Sequence, residues 1–146
     1  MATKSNLTIK RTFPASCEHL YAMWTTGDLL KTWFCPGDGM TIPVADADAR
    51  EGGSYRIVMQ SKDGETFSPS GIYETVVPNE KLVFSWKWAD SEVVTRVTIE
   101  FHPLGDNETE LTLTHEGFPD AEMRDLHTEG WEGCLSRLTA SAQGMK

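Results

Sequence analysis

Apolar positions along the chain change period twice, which divides it into three stretches. In the first, the segment LTIKRTF sets Leu7, Ile9, Arg11 and Phe13 against Thr8, Lys10 and Thr12, the alternation of a half-buried strand. Pro14 ends that ladder because it has no N–H to donate. Cys17, Leu20, Tyr21 and Trp24 then fall at the i, i+3, i+4, i+7 spacing of a helix with one buried face, with Ser16 placed as its N-cap and Gly27 as its end. The segment DLLKTWF, from Asp28, predicts a second short helical turn that carries Trp33 and Phe34 inward before CPGDG breaks the chain.

From Met40 the pattern becomes extended, and turn signals recur at short intervals as a meander of antiparallel strands requires. Strands are expected over Thr41–Ala47, Ser54–Ser61, Phe67–Val77, Leu82–Trp88, Val93–His102 and Glu110–Glu116. Gly52-Gly53, Asp63-Gly64, Pro78-Asn79, Ala89-Asp90 and Gly105-Asp106-Asn107 supply the hairpin turns between them. Parity assigns Tyr55, Ile57 and Met59 to the inner face, with Leu82, Phe84, Trp86 and Trp88, then Val97, Ile99 and Phe101, then Leu111, Leu113 and His115. Arg56, Lys87, Arg96, Glu100 and Glu110 fall on the outer face. The strand from Phe67 is ambiguous, since Gly71, Tyr73 and Thr75 compete with Ile72, Glu74 and Val76 for the inside.

The third stretch is helical again. From about Asp120 to Ala142, Met123, Leu126 or His127, Trp131, Cys134, Leu135, Leu138 and Ala142 lie on one stripe that must be buried against the sheet. Gly130 and Gly133 interrupt it, and each costs about 1 kcal/mol of helix propensity relative to Ala. Close approach of helix to sheet is one explanation for them, and space left for a ligand is the other.

A length of 146 residues suits one domain with a real core, and no linker or repeat divides it. A net charge of −9 disfavours nucleic acid and anionic membrane surfaces, both of which require clustered Lys and Arg. No apolar run is long enough for membrane insertion and no signal peptide opens the chain, so a soluble, cytoplasmic protein is expected. Cys17, Cys35 and Cys134 are an odd, scattered set that fits reduced thiols better than disulfides or a zinc site.

Candidate chemistry is sparse. His115-Glu116 has Pro119 where a zinc protease needs its second His, and DADAREG places Arg50 at the third ligand position of a calcium loop. No nucleophile elbow or phosphate-binding glycine loop is present, so neither catalytic residues nor a metal or cofactor site are assigned.

Four segments taken together, RTFPASCEHLYAMWTTGDLLKTWF, ADAREGGSYR, GIYETVVPNEKLVFSW and GWEGCLSRL, resemble the activator of heat-shock-protein-90 ATPase homologue family. That family sits within the helix-grip superfamily of lipid-transfer, polyketide-cyclase and pollen-allergen-like domains. The resemblance runs from Leu7 to Leu138 and implies an α+β fold, a curved antiparallel sheet wrapped around a long C-terminal helix with two short helices after the first strand. It also implies an apolar cavity between sheet and helix that admits a hydrophobic small molecule. Trp33, Gly52, Gly53, Gly71, Trp131 and Leu138 match the family's pattern and are mainly structural.

Binding or sequestration without catalysis is the leading expectation, with Trp33, Tyr55, Met59, Tyr73, Trp86, Phe101, His115, Trp131 and Leu135 as the ligand-binding set. An interaction with a heat-shock-protein-90 homologue is the alternative. In the co-chaperones that name the family, a further N-terminal domain carries much of that contact, and this chain opens at its first strand. A cyclase- or hydrolase-type enzyme with His115 as general base is the third reading. Arg11 could face an acidic ligand or sit at the rim of the sheet.

Overall fold

The first alternating run forms β1 (Ser5–Phe13), with Leu7, Ile9 and Phe13 buried and Thr8, Lys10 and Thr12 turned out. This computed structural model describes residues 5–34 and 40–144; the CPGDG break and Cys35 lie outside them. α1 (Cys17–Thr25) is capped by Ser16, whose hydroxyl accepts from the His19 N–H at 3.1 Å. Gly27 does not end α1 as its composition suggests. It opens α2 (Gly27–Leu30), where the strand after it comes too close to leave room for a side chain.

The meander follows as β2 (Thr41–Ala47), β3 (Ser54–Gln60), β4 (Thr66–Phe67), β5 (Pro69–Val77), β6 (Lys81–Trp88), β7 (Thr95–Gly105) and β8 (Glu108–Phe118). All pairings are antiparallel in the order β1-β8-β7-β6-β5-β3-β2, with β4 branching from β3. The sheet curls, and α3 (Ala121–Gly144) lies along its concave face. Asp120 starts α3 by accepting from the Met123 N–H at 2.8 Å. Among the described residues no helix is long and apolar enough to cross a membrane.

The ambiguous strand departs from its expected course in two ways. Phe67 separates from it into β4, which pairs with β3, while Ser68 turns its carbonyl to the Ala89 N–H. The remaining strand carries a bulge: Tyr73 pairs with Phe84 but Thr75 pairs with Val83, leaving Glu74 unopposed. The inward parity therefore switches along β5, with Tyr73 buried before the bulge and Val76 packed on the core after it. Neither of the two competing sequence patterns could hold over the whole strand.

Gly71 marks the closest approach of two strand backbones. A Cβ placed there would lie 1.9 Å from the Ser85 carbonyl oxygen, the same oxygen that accepts the Tyr55 hydroxyl at 2.6 Å. Gly71→Ala is accordingly expected to cost about 1–3 kcal/mol, since the clash is with backbone that must shift rather than with a flexible side chain. A urea midpoint lowered at unchanged slope is the expected readout, and an unaltered midpoint would show that β5 and β6 do not pinch together there.

Helix and sheet are joined along one seam by Arg11, which reaches Glu132 at 2.7 Å and the Ser136 hydroxyl at 3.3 Å. Both charged side chains remain partly exposed, so this pair contributes at most about 1 kcal/mol. Most of the docking comes from the buried stripe of Trp131, Cys134, Leu135, Leu138 and Ala142 against the inner face of the sheet.

Candidate ligand-binding site

Near the start of α3, helix and sheet border a cavity of about 600 Å³ that is open to solvent, within the roughly 300–1,000 Å³ usual for small-molecule sites. β6 contributes Trp86 and Trp88, β3 contributes Met59, and Phe34 reaches in from the segment after α2. On the helical side the wall is His127, Glu129, Gly130, Trp131 and Cys134. Phe67 of β4 and Leu126 of α3 complete it at 42% and 61% exposure, so they form an apolar mouth.

Gly130 is what keeps this space open on the helix. A Cβ built there meets no heavy atom within 4 Å, so no close helix–sheet contact explains the missing side chain. Of the two explanations for glycine in the stripe, open volume is the one the geometry at Gly130 matches.

Two histidines are held against the aromatic wall, each capped by an indole. Trp131 Nε1 donates to His115 Nδ1 at 3.0 Å, and because an indole can only donate, the His115 proton sits on Nε2. That N–H faces the Thr95 hydroxyl at 2.6 Å, which in turn donates to the Trp86 carbonyl at 3.3 Å. Trp88 Nε1 likewise donates to His127 Nε2 at 2.8 Å, leaving His127 Nδ1–H to donate to the Met123 carbonyl at 2.9 Å. The two imidazoles stand edge to face, 5.3 Å apart, and both pack on Phe118.

This arrangement holds both rings neutral. Burial pushes the His115 pKa down from 6.5 to about 3, with His127 adding a smaller repulsion. Protonation would also set a new N–H against the Trp131 indole. Burial lowers the His127 pKa as well, opposed by its bond to the Met123 carbonyl. Because an unfolded chain titrates His near its ordinary value, stability is full above about pH 6.5 and falls as pH drops towards 3. Between pH 7.5 and 5 the protein is expected to lose about 2 kcal/mol more than His115→Gln, which offers a donor and an acceptor but does not titrate. Parallel pH profiles of urea midpoints for the two proteins would contradict a neutral, buried His115.

Of the nine residues that sequence singles out for ligand contact, Met59, Trp86 and Trp131 meet at the cavity wall. His115 lies directly behind that wall, fully buried. Trp33 is also fully buried, but its N–H donates to the Met23 carbonyl at 2.9 Å and its ring packs on Trp24, one layer away. Tyr55 and Tyr73 pack with Phe84 around a crevice of about 10 Å³, no larger than one water occupies. Burial raises both phenols above their usual range. Phe101 packs under Tyr21 of α1, and Leu135, next to the lining residue Cys134, is fully buried in the core instead.

Phe34, Phe67, Trp88, Leu126, His127, Glu129, Gly130 and Cys134 complete the wall and are not among the nine. Trp88 shares the parity of Trp86, and Cys134 and Gly130 lie on the helical stripe, so those three carried a signal. Phe67 and Glu129 carried none, because only the split of β4 from β5 and the position of the cavity bring them in. No group of three metal-ligating side chains occurs among the described residues.

Residues 14–143 match the family model for Activator of Hsp90 ATPase homolog 1-like protein. Over 129 residues, 86% of this chain, the sequence is 30% identical to human activator of 90 kDa heat shock protein ATPase homolog 1, of which the match covers 33%. The chain thus spans about a third of the length of that curated relative. Among solved structures, the AHSA1 protein of Silicibacter pomeroyi superposes with a TM-score of 0.86 at 29% identity, over 97% of this chain and 100% of that one. A protein from Chromobacterium violaceum superposes at 0.83 and 27% identity, over 92% and 94% of the two chains.

Proposed function

This chain belongs to the Activator of Hsp90 ATPase homolog 1-like family, and from that premise we propose that it binds a hydrophobic small molecule between β6 and the first turns of α3. The observation that carries the reading is a cavity of about 600 Å³ walled by aromatic rings, with Gly130 leaving its helical side open. Large rings present apolar area while losing little rotamer freedom on binding. Binding without chemistry is favoured over the enzyme reading, because the basic nitrogens of His115 and His127 are both capped by indole N–H groups. A general base needs that lone pair within reach of a substrate proton.

Native mass spectrometry and thermal-shift screening against lipids and aromatic metabolites test the proposal. A single-ligand adduct is expected, with a Tm raised by about 5–10 °C at a hundredfold excess over Kd. A library-wide absence of both adduct and shift would sink it.

A second reading rests on the human relative, whose name marks it as an activator of the 90 kDa heat shock protein ATPase. This chain, acidic at −9 overall, would suit a basic surface on such a partner. Pull-down and an ATPase assay with a heat-shock-protein-90 homologue decide it, and no stimulation at saturating protein would remove it. We propose a cytoplasmic location for the protein, where thiols stay reduced.

A further inference from the structure

We infer that the cavity selects a hydrophobic cation, an amine or quaternary ammonium carrying an apolar body, over a neutral or anionic ligand of the same size. The inference rests on the cavity-binding reading above and follows from which polar groups the wall leaves available. The N–H groups of Trp88 and Trp131 are spent on His127 and His115, and the remaining His127 N–H is spent on the Met123 carbonyl. The Trp86 N–H has no acceptor among the described residues and no exposed surface through which to meet a ligand. Among the described residues no Lys or Arg lines the space.

What remains is a set of electron-rich surfaces. Trp86, Trp88, Trp131 and Phe34 line the space with aromatic rings, and Glu129 is the single acidic side chain among the described residues of the wall. Its carboxylate makes no salt bridge among the described residues. A cation is attracted to indole rings and to a carboxylate beside them; exclusion of water strengthens the first, while Glu129 is exposed and acts through solvent. A carboxylate or phosphate ligand would meet Glu129 with no donor to compensate it. The protein's overall charge of −9 acts in the same direction but cannot by itself discriminate this site from any other.

The test compares decyltrimethylammonium, 1-decanol and decanoate below their aggregation limits, by calorimetry and by quenching of the cavity tryptophans, in wild type, Glu129→Gln and Glu18→Gln. Glu18 is exposed on α1, so its variant removes the same unit of charge elsewhere. Wild type is expected to bind the ammonium at least about tenfold more tightly than decanol, and decanoate more weakly still. Glu129→Gln should shrink the ammonium-to-decanol ratio to within about threefold, and Glu18→Gln should leave it unchanged. Equal, tight binding of decanol and ammonium, or an equal response to both variants, would overturn the charge selection while leaving the cavity-binding reading intact. Failure of all three probes to bind would overturn the cavity-binding reading itself.

Discussion

Trp131→Ala is expected to remove most of the protein's stability. The ring is almost fully buried, and it lies between Phe34 at 5.7 Å, Trp24 at 5.9 Å and Trp86 at 5.2 Å, joining α1 and the segment after α2 to the sheet through α3. Truncating a buried Trp costs about 3–5 kcal/mol, and here it also strips His115 Nδ1 of its donor, about 1–3 kcal/mol more. Together these approach the roughly 5–15 kcal/mol that holds a domain folded. Loss of cooperative thermal unfolding at physiological temperature is the expected outcome.

Trp131→Phe separates the two contributions, because it keeps most of the apolar contact and deletes the indole N–H. It should cost about 1–3 kcal/mol, because His115 Nδ1 stays buried and loses its donor. A phenylalanine variant with unchanged stability would show that the Trp131–His115 bond is not part of the native wall.

Local periodicity carries most of the fold. The strand alternation, the Ser16 cap and the stripe on α3 are all recoverable from spacing, since each depends on residues that lie close together in the chain. The bulge at Glu74 is not recoverable this way. A bulge is a mismatch between two strands, and β5 taken alone shows only two competing alternations.

The site follows the same division. Trp86 and Trp131 are legible as inward-facing aromatic residues, and both reach the cavity. Trp33 obeys the same rule yet lies behind the wall, because alternation and helical spacing distinguish inside from outside but not cavity from core. His127 shows the converse. The stripe allows either Leu126 or His127 to turn inward, and the Trp88 indole selects the histidine, leaving Leu126 at the mouth. Such polar pairings across elements decide the lining, and they have no signature within a single segment.

The cavity itself is tested most directly by filling it from the protein side. Gly130→Leu extends a side chain into space where a Cβ meets nothing within 4 Å, so it should not harm the fold. Replacing a helical Gly should instead add up to about 1 kcal/mol of stability. The measurement is titration with the neutral fluorescent probe N-phenyl-1-naphthylamine, read by energy transfer from the cavity tryptophans, on wild type and Gly130→Leu in parallel. Wild type is expected to show saturable single-site binding, and Gly130→Leu to lose about a hundredfold or more in affinity while melting no lower than wild type. Equal binding by two equally stable proteins, or no saturable binding by wild type, would contradict a ligand site between β6 and α3.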